Sequence, residues 1–292
     1  MNKSLLGLGS LLTAGLLFGS FGIWVRLLSS DLSSYQQIAF RNIVALVIAL
    51  GIIYFKKIKL SFSGVSPKYL VLFGLSFPIA VIFYTFAMLK TSIMLGIFSF
   101  YLGSILFSLL LGITIFKEKL TAQKSLSILL VLSGFYFFIQ PNGLKNIDLG
   151  MVFGIVAGLF DTISNAFRKH LAGKLDRVVL TLVPQIGGIL VATILIAMFG
   201  GLALPVISTT NWFVGILFGS MIFMINYLTL YGFQHFDLNL GTIAISTEVV
   251  FATLFGWLVF AEVPRSLDIY GGLFIVLAII AGNWPAKRKI SG

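Results

Sequence analysis

The sequence predicts an all-α membrane protein of ten transmembrane helices, arranged as two inverted five-helix repeats with both termini cytoplasmic. Three observations predict it. Hydrophobic residues make up 59% of the 292-residue chain and charged residues only 10%, with a mean hydropathy of +1.07, whereas soluble domains carry about 25% charged residues. Apolar stretches of the length that crosses a bilayer, about 20 residues, recur from one end to the other. The lysines and arginines gather in short runs on alternate connections.

The opening stretch "MNKSLLGLGSLLTAGLLFGSFGIWV" has one early lysine and an apolar run longer than the ~7–15 residues of a signal core, without an A-x-A cleavage site. It reads as a retained first span over 5–28. Further spans follow at 35–55, 69–89, 92–115 and 122–139, and then at 149–169, 177–199, 212–233, 240–260 and 269–284. If the N-terminus lies inside, fifteen basic residues fall on cytoplasmic segments, among them Lys56, Lys57, Lys119, Lys124, Arg168 and Lys169. Four, Arg26, Lys90, Lys145 and Arg265, fall outside. That asymmetry sets the expected direction.

The halves echo each other. "FKEKLTAQKSLSILLVLSG" aligns with "FAEVPRSLDIYGGLFIVLA", pairing Glu118 with Glu262, and "TAGLLFGSFGIWVRLL" aligns with "VAGLFDTISNAFRKHL". Two units, 1–143 and 144–292, are therefore expected within one membrane domain. An odd number of helices per unit inverts the second copy, an arrangement typical of transporters.

Several function classes are excluded or disfavoured. There is no cysteine and there are only two histidines, His170 and His235, so no cofactor and no metal centre is expected. The net charge of +11 fits anionic lipid headgroups better than nucleic acid. No GxxxxGK[ST] loop is present to cradle phosphates, and no enzyme motif stands out.

Polar residues within the spans carry the functional reading, because an ionisable group in hydrocarbon is costly and marks a site by default. Asp161, Gln185, Asn226 and Glu248 come from four successive spans and lie roughly 10–12 Å from the cytoplasmic ends, which predicts a shared chamber. Asp161 and Glu248 are candidates for proton coupling or amine binding. Gln185 and Asn226 serve equally well as substrate contacts or as helix glue. Nearer the outer face, Arg41 with Trp24, Tyr84 and Tyr101 suits a carboxylate or a planar substrate; pairing of Arg41 with Asp31 or Glu262 is the structural alternative. Arg26 reads as a snorkelling helix end, His235 and Asp237 as a solvated turn, and Glu118 and Glu262 as acceptors at the N-terminus of the helix that follows each. Pro78 and Pro184 allow bending within spans.

The doubled motif, "LGITIFKEKLTAQ" and "FGWLVFAEVPRSLD", together with Arg41 in "IAFRNIVAL" and the segment "YTFAMLKTS", resembles the drug/metabolite transporter superfamily, specifically its EamA-type ten-helix members, which include a bacterial aromatic amino acid exporter. The resemblance implies a basket of helices around a central cavity, with the fifth and tenth at the periphery. It also implies movement of small metabolites without ATP hydrolysis in a prokaryotic inner membrane. Two departures stand out: a motif proline near the start of the ninth helix is absent, with Glu248 close by, and Asp161 adds a second acid. The function expected is secondary transport of amino acids or related amines by a monomer, with protons as the candidate coupling ion. Efflux of cationic drugs is the alternative; an intramembrane enzyme or a scaffold is a third.

Overall fold

The computed structural model describes residues 3–91, 93–139, 149–200, 205–261 and 263–283, and these are almost entirely helical. In chain order the helices are α1 Lys3–Gly19, α2 Phe21–Leu28, α3 Ser34–Phe55, α4 Pro67–Lys90, α5 Ile93–Thr114 and α6 Ala122–Ile139. After the interval come α7 Leu149–Leu171, α8 Arg177–Leu195, α9 Thr209–His235, α10 Leu238–Ile245, α11 Glu248–Phe260 and α12 Ser266–Asn283. A five-residue π-helical turn, Ile196–Gly200, widens the end of α8.

The helix starts follow from local chemistry. Ser33 and Gln36 form a reciprocal capping box at α3, which satisfies two amide donors that have no intrahelical acceptor. Asp176 caps α8 through the Val178 N–H at 2.8 Å, and Ser208 caps α9 through the Asn211 N–H at 3.3 Å. Pro67 opens α4, where a missing N–H costs nothing.

Among the described residues, seven helical segments are long and apolar enough to cross a membrane. They are Lys3–Leu28, Ser34–Phe55, Pro67–Tyr84, Leu149–Leu171, Arg177–Phe199, Thr209–His235 and Leu238–Phe260. This corrects the expectation of ten spans. Within α5, α6 and α12 the stretches Ser99–Thr114, Ala122–Phe137 and Ser266–Gly282, of 10–17 residues, count among the described residues as shorter apolar helices, against the ~20 residues of a spanning one. No five-plus-five inverted repeat is established, and the even count that put both termini on one side falls with the ten spans. Trp284, Lys145, Glu262 and the basic run 287–289 lie outside the described residues. The chain is a multi-pass integral membrane protein.

Packing joins helices distant in sequence. α7 lies against both α4 and α5, α12 against α6, α8 against α3, and α9 against α1 and α3. Small residues make these contacts close. A Cβ on Gly158 of α7 would lie 2.5 Å from the Ser104 nitrogen of α5, and one on Gly74 of α4 only 3.1 Å from the Val183 carbonyl of α8. Without a hydrophobic drive in lipid, such backbone approach supplies much of the association. Large apolar side chains such as Val47, Leu190, Ile194 and Phe213 are exposed, as lipid-facing surfaces require.

Candidate functional site

Two helices break where they meet. α1 and α2 are interrupted at Ser20, whose hydroxyl donates to the Leu17 carbonyl at 2.7 Å. α10 and α11 are interrupted at Ser246 and Thr247, whose hydroxyls donate to the Ile243 and Ala244 carbonyls, both at 2.7 Å. Tight i→i+3 bonds close both turns, from Ile23 N–H to Ser20 O and from Val249 N–H to Ser246 O. Hydroxyls that bond back onto the preceding turn bend a helix, and a short 3-10-like turn inside a span often marks a functional hinge. Gly19 lets the two breaks touch: a Cβ there would lie 3.0 Å from the Glu248 carbonyl and 2.5 Å from the Phe251 Cβ.

Glu248 is the first residue of α11. The positive end of that half-helix favours a carboxylate, which explains why an acid can stand in an otherwise apolar span. The Tyr101 hydroxyl of α5 donates to Glu248 Oε2, and Tyr101 is itself held by stacking on Phe135 at 5.3 Å. Phe100 bridges Tyr101 and Tyr84, with centroid distances of 4.9 and 4.8 Å. Glu248 lies within electrostatic reach of Tyr84, Tyr101 and Asp161.

Asp161 of α7 faces the same region from the other side. It accepts from Ser104 Oγ at 3.4 Å and from Asn165 Nδ2 at 3.0 Å. The ladder continues: Arg168 Nη1 donates to Asn165 Oδ1 at 2.5 Å, and Arg168 Nη2 to Asn226 Oδ1 at 3.1 Å. Asn226 in turn donates to the Ile222 carbonyl at 3.0 Å. Asp161 and Asn226 are thus joined in one polar ladder through Asn165 and Arg168, with Glu248 held separately by Tyr101. Gln185 is 0% exposed, and neither atom of its amide finds a hydrogen-bond partner.

Arg168, counted in the sequence only among the basic residues at the cytoplasmic end, is buried in the structure. Its Cα is three residues from the end of α7, but side chains lean toward a helix's N-terminus, and here that direction is inward. The residue is 2% exposed, its guanidinium sits 5.1 Å from the Phe77 ring and 5.9 Å from the Phe73 ring, and its Nε has no acceptor.

The outer group divides. Arg41 is 5% exposed and lies over the Phe21 and Phe218 rings at 4.8 and 5.3 Å. Trp24 stacks on the same Phe218 at 6.4 Å and donates to Ser20 Oγ at 3.0 Å. Tyr84 and Tyr101 belong with Glu248 instead. Arg41 does not pair with Asp31, which accepts from the Ser208 N–H and Oγ, and Glu262 lies outside the described residues. Arg26 sits over the Phe260 ring at 4.4 Å.

A second polar cluster lies at the lysine-rich end. Glu118 accepts from Lys169 Nζ at 3.1 Å and from the Leu238 N–H at 2.6 Å, so it caps α10, not the helix that follows it. Lys124 lies 3.7 Å from Glu118 and pairs with Asp237, while Lys169 also donates to the Phe236 carbonyl at 2.7 Å. The turn holding Asp237 is therefore tied down by its ion pair with Lys124 and by the Lys169 bond to Phe236, where the sequence favoured a solvated turn over a gating one. No group of three or more His, Asp or Glu suited to a metal occurs among the described residues.

The model of the EamA-like transporter family matches residues 148–283, so part of the chain carries the fold of that transporter family. A solved structure, titled only "Crystal structure of protein", has a TM-score of 0.82 against this chain at 15% identity, covering 99% of this chain and 98% of its own. At that identity the likeness is one of fold. No curated protein matches the chain. The transporter-family match over part of the chain is consistent with transport of small molecules.

Proposed function

We propose that the protein is a secondary transporter that moves amino acids or related amines by alternating access, with protons as the coupling ion, and works as a monomer in a prokaryotic inner membrane with its lysine-rich end in the cytoplasm. The observation that carries this reading is Glu248 itself. A carboxylate opens the second half of a broken span, is held by one tyrosine, and has no basic partner among the described residues. Discontinuous spans of this kind are where transporters bind substrates and ions. Asp161 adds a second acid, so the region is equipped to hold an ammonium group or to trade it for a proton. Tyr84, Tyr101, Gln185 and Asn226 would line the path. Arg41, cushioned by Phe21, Phe218 and Trp24, would meet a carboxylate or ring approaching from the opposite end.

Efflux of organic cations is the second reading, favoured by the same lack of a direct basic partner on both acids. The test is flux in proteoliposomes at two pH values, with amino acids, their amines and organic cations as substrates. Glu248→Gln is expected to abolish the pH dependence of flux. Unaltered pH-dependent flux in that variant would remove Glu248 from the mechanism.

A further inference from the structure

We propose that Asp161, Asn165 and Arg168 form a zwitterion-binding site that the Asn165 carboxamide occupies in this conformation, with Arg168 as the carboxylate subsite. This rests on the reading of the protein as an amine or amino acid transporter and specifies which substrates fit it. The Asn165 side chain offers an N–H donor and an oxygen acceptor on one carbon. Its nitrogen donates to Asp161 Oδ2 at 3.0 Å, and its oxygen accepts from Arg168 Nη1 at 2.5 Å. An α-amino acid likewise carries a cationic donor and an anionic acceptor on the two substituents of one carbon. Exchange of the carboxamide for such a ligand would set the ammonium against Asp161 and the carboxylate against Arg168, and would turn two hydrogen bonds to a neutral amide into charge-assisted ones.

Two features separate this from ordinary helix glue. Arg168 is a buried guanidinium whose direct hydrogen-bond partners, Asn165 and Asn226, are both neutral amides, and its Nε is buried with no acceptor at all. A buried cation without a contacting anion is a poor structural device, and unmet buried donors are rare in finished cores. A carboxylate is the ligand a planar guanidinium fork recognises best. Arg41 lacks the matching half of such a site, because no acid contacts it among the described residues; Arg168 has one, a single asparagine away.

The test is binding of the standard amino acids and of their decarboxylated amines to purified full-length protein in detergent, measured by calorimetry. The wild type is expected to bind at least one amino acid more than tenfold tighter than its amine. Arg168→Met should erase that preference while leaving the amine bound. Asn165→Ala should tighten amino acid binding severalfold, because the internal competitor is gone. If Arg168→Met is not monodisperse, Arg168→Lys keeps the charge without the fork and should weaken amino acids severalfold with amines unaffected. The proposal is overturned if Arg168 variants keep the preference, or if Asn165→Ala weakens both ligand types equally. Wild-type binding of amines with no preference for amino acids would overturn the zwitterion site and leave amine transport standing; binding of neither would remove both.

Discussion

The carboxylate of Glu118, at the end of the chain's fifth helix, accepts the backbone N–H of Leu238 at 2.6 Å and so ties α5 to the first turn of α10, the half-helix that leads to Glu248. Lys169 adds a cation to the same oxygen at 3.1 Å, and both side chains are largely buried. Removal of one member of a buried pair strands the other's charge, at a cost of about 3–5 kcal/mol. Glu118→Ala should therefore lower unfolding stability in detergent by about that amount. Glu118→Ala with Lys169→Met should recover part of it, because the stranded cation is gone. Loss of Asp237, whose exposed side chain pairs with Lys124, should cost about 1 kcal/mol or less.

Helices were legible in the sequence, but partners were not. Apolar runs located most of the helices, and depth counting set the expectation that Asp161, Gln185, Asn226 and Glu248 share one level. The expected count of ten spans exceeds the seven found among the described residues, where Ser266–Gly282 counts as a shorter apolar helix. Arg168 escaped because depth was assigned by its place in the chain, while the length and lean of its side chain carry the guanidinium inward. Trp24 and Tyr84 were grouped because they share a depth, but periodicity says nothing about which neighbour a helix face meets. The break before Glu248 left a trace in the adjacent Ser246 and Thr247, whose hydroxyls can bend a helix.

The glycines of α7 and α1 should respond oppositely to the same substitution. Gly158 touches α5 one turn from Asp161, and a Cβ there would collide with the Ser104 nitrogen; Gly158→Ala is expected to lose about 1–3 kcal/mol and to weaken ligand binding by shifting Ser104. Gly9 in α1 is exposed, and a Cβ added there would meet nothing within 4 Å, so Gly9→Ala should be neutral or gain up to ~1 kcal/mol of helix propensity. Thermal unfolding of both variants distinguishes a close helix contact from a free surface.

Asp31, between α2 and α3, gives the fold an acid sensitivity. The Ser208 N–H first, then the side chains of Asn211, Ser208 and Ser30, hold its carboxyl well below the usual aspartate range. A carboxyl lowered by folding stabilises the fold fully above the unfolded value near ~3.9, and that contribution is lost as pH falls toward the lowered value. The difference in thermal midpoint between wild type and Asp31→Asn should stay constant from about pH 7 to 5 and shrink below about pH 4. A difference that grows on acidification would contradict the bonding seen at Ser208.

The tie between Glu118 and Leu238 also predicts how the lysine-rich end opens. Asn239 follows Leu238 in α10, is 2% exposed, and its Nδ2 is buried without a partner, so it reports on the inner side of that tie. The chain has no cysteine, and Asn239→Cys would introduce its only thiol. In membranes with the lysine-rich end accessible, a membrane-impermeant maleimide should label that thiol slowly in the otherwise native chain. Labelling should rise severalfold when Glu118→Gln is added, because an amide meets Lys169 without the ionic attraction that holds α10 closed. A transported substrate that draws the protein through its cycle should also change the rate, in a manner blocked by Glu248→Gln. Fast labelling at the outset, unchanged by Glu118→Gln, would mean that this end is already open and that the ion pairs at Glu118 do not control it.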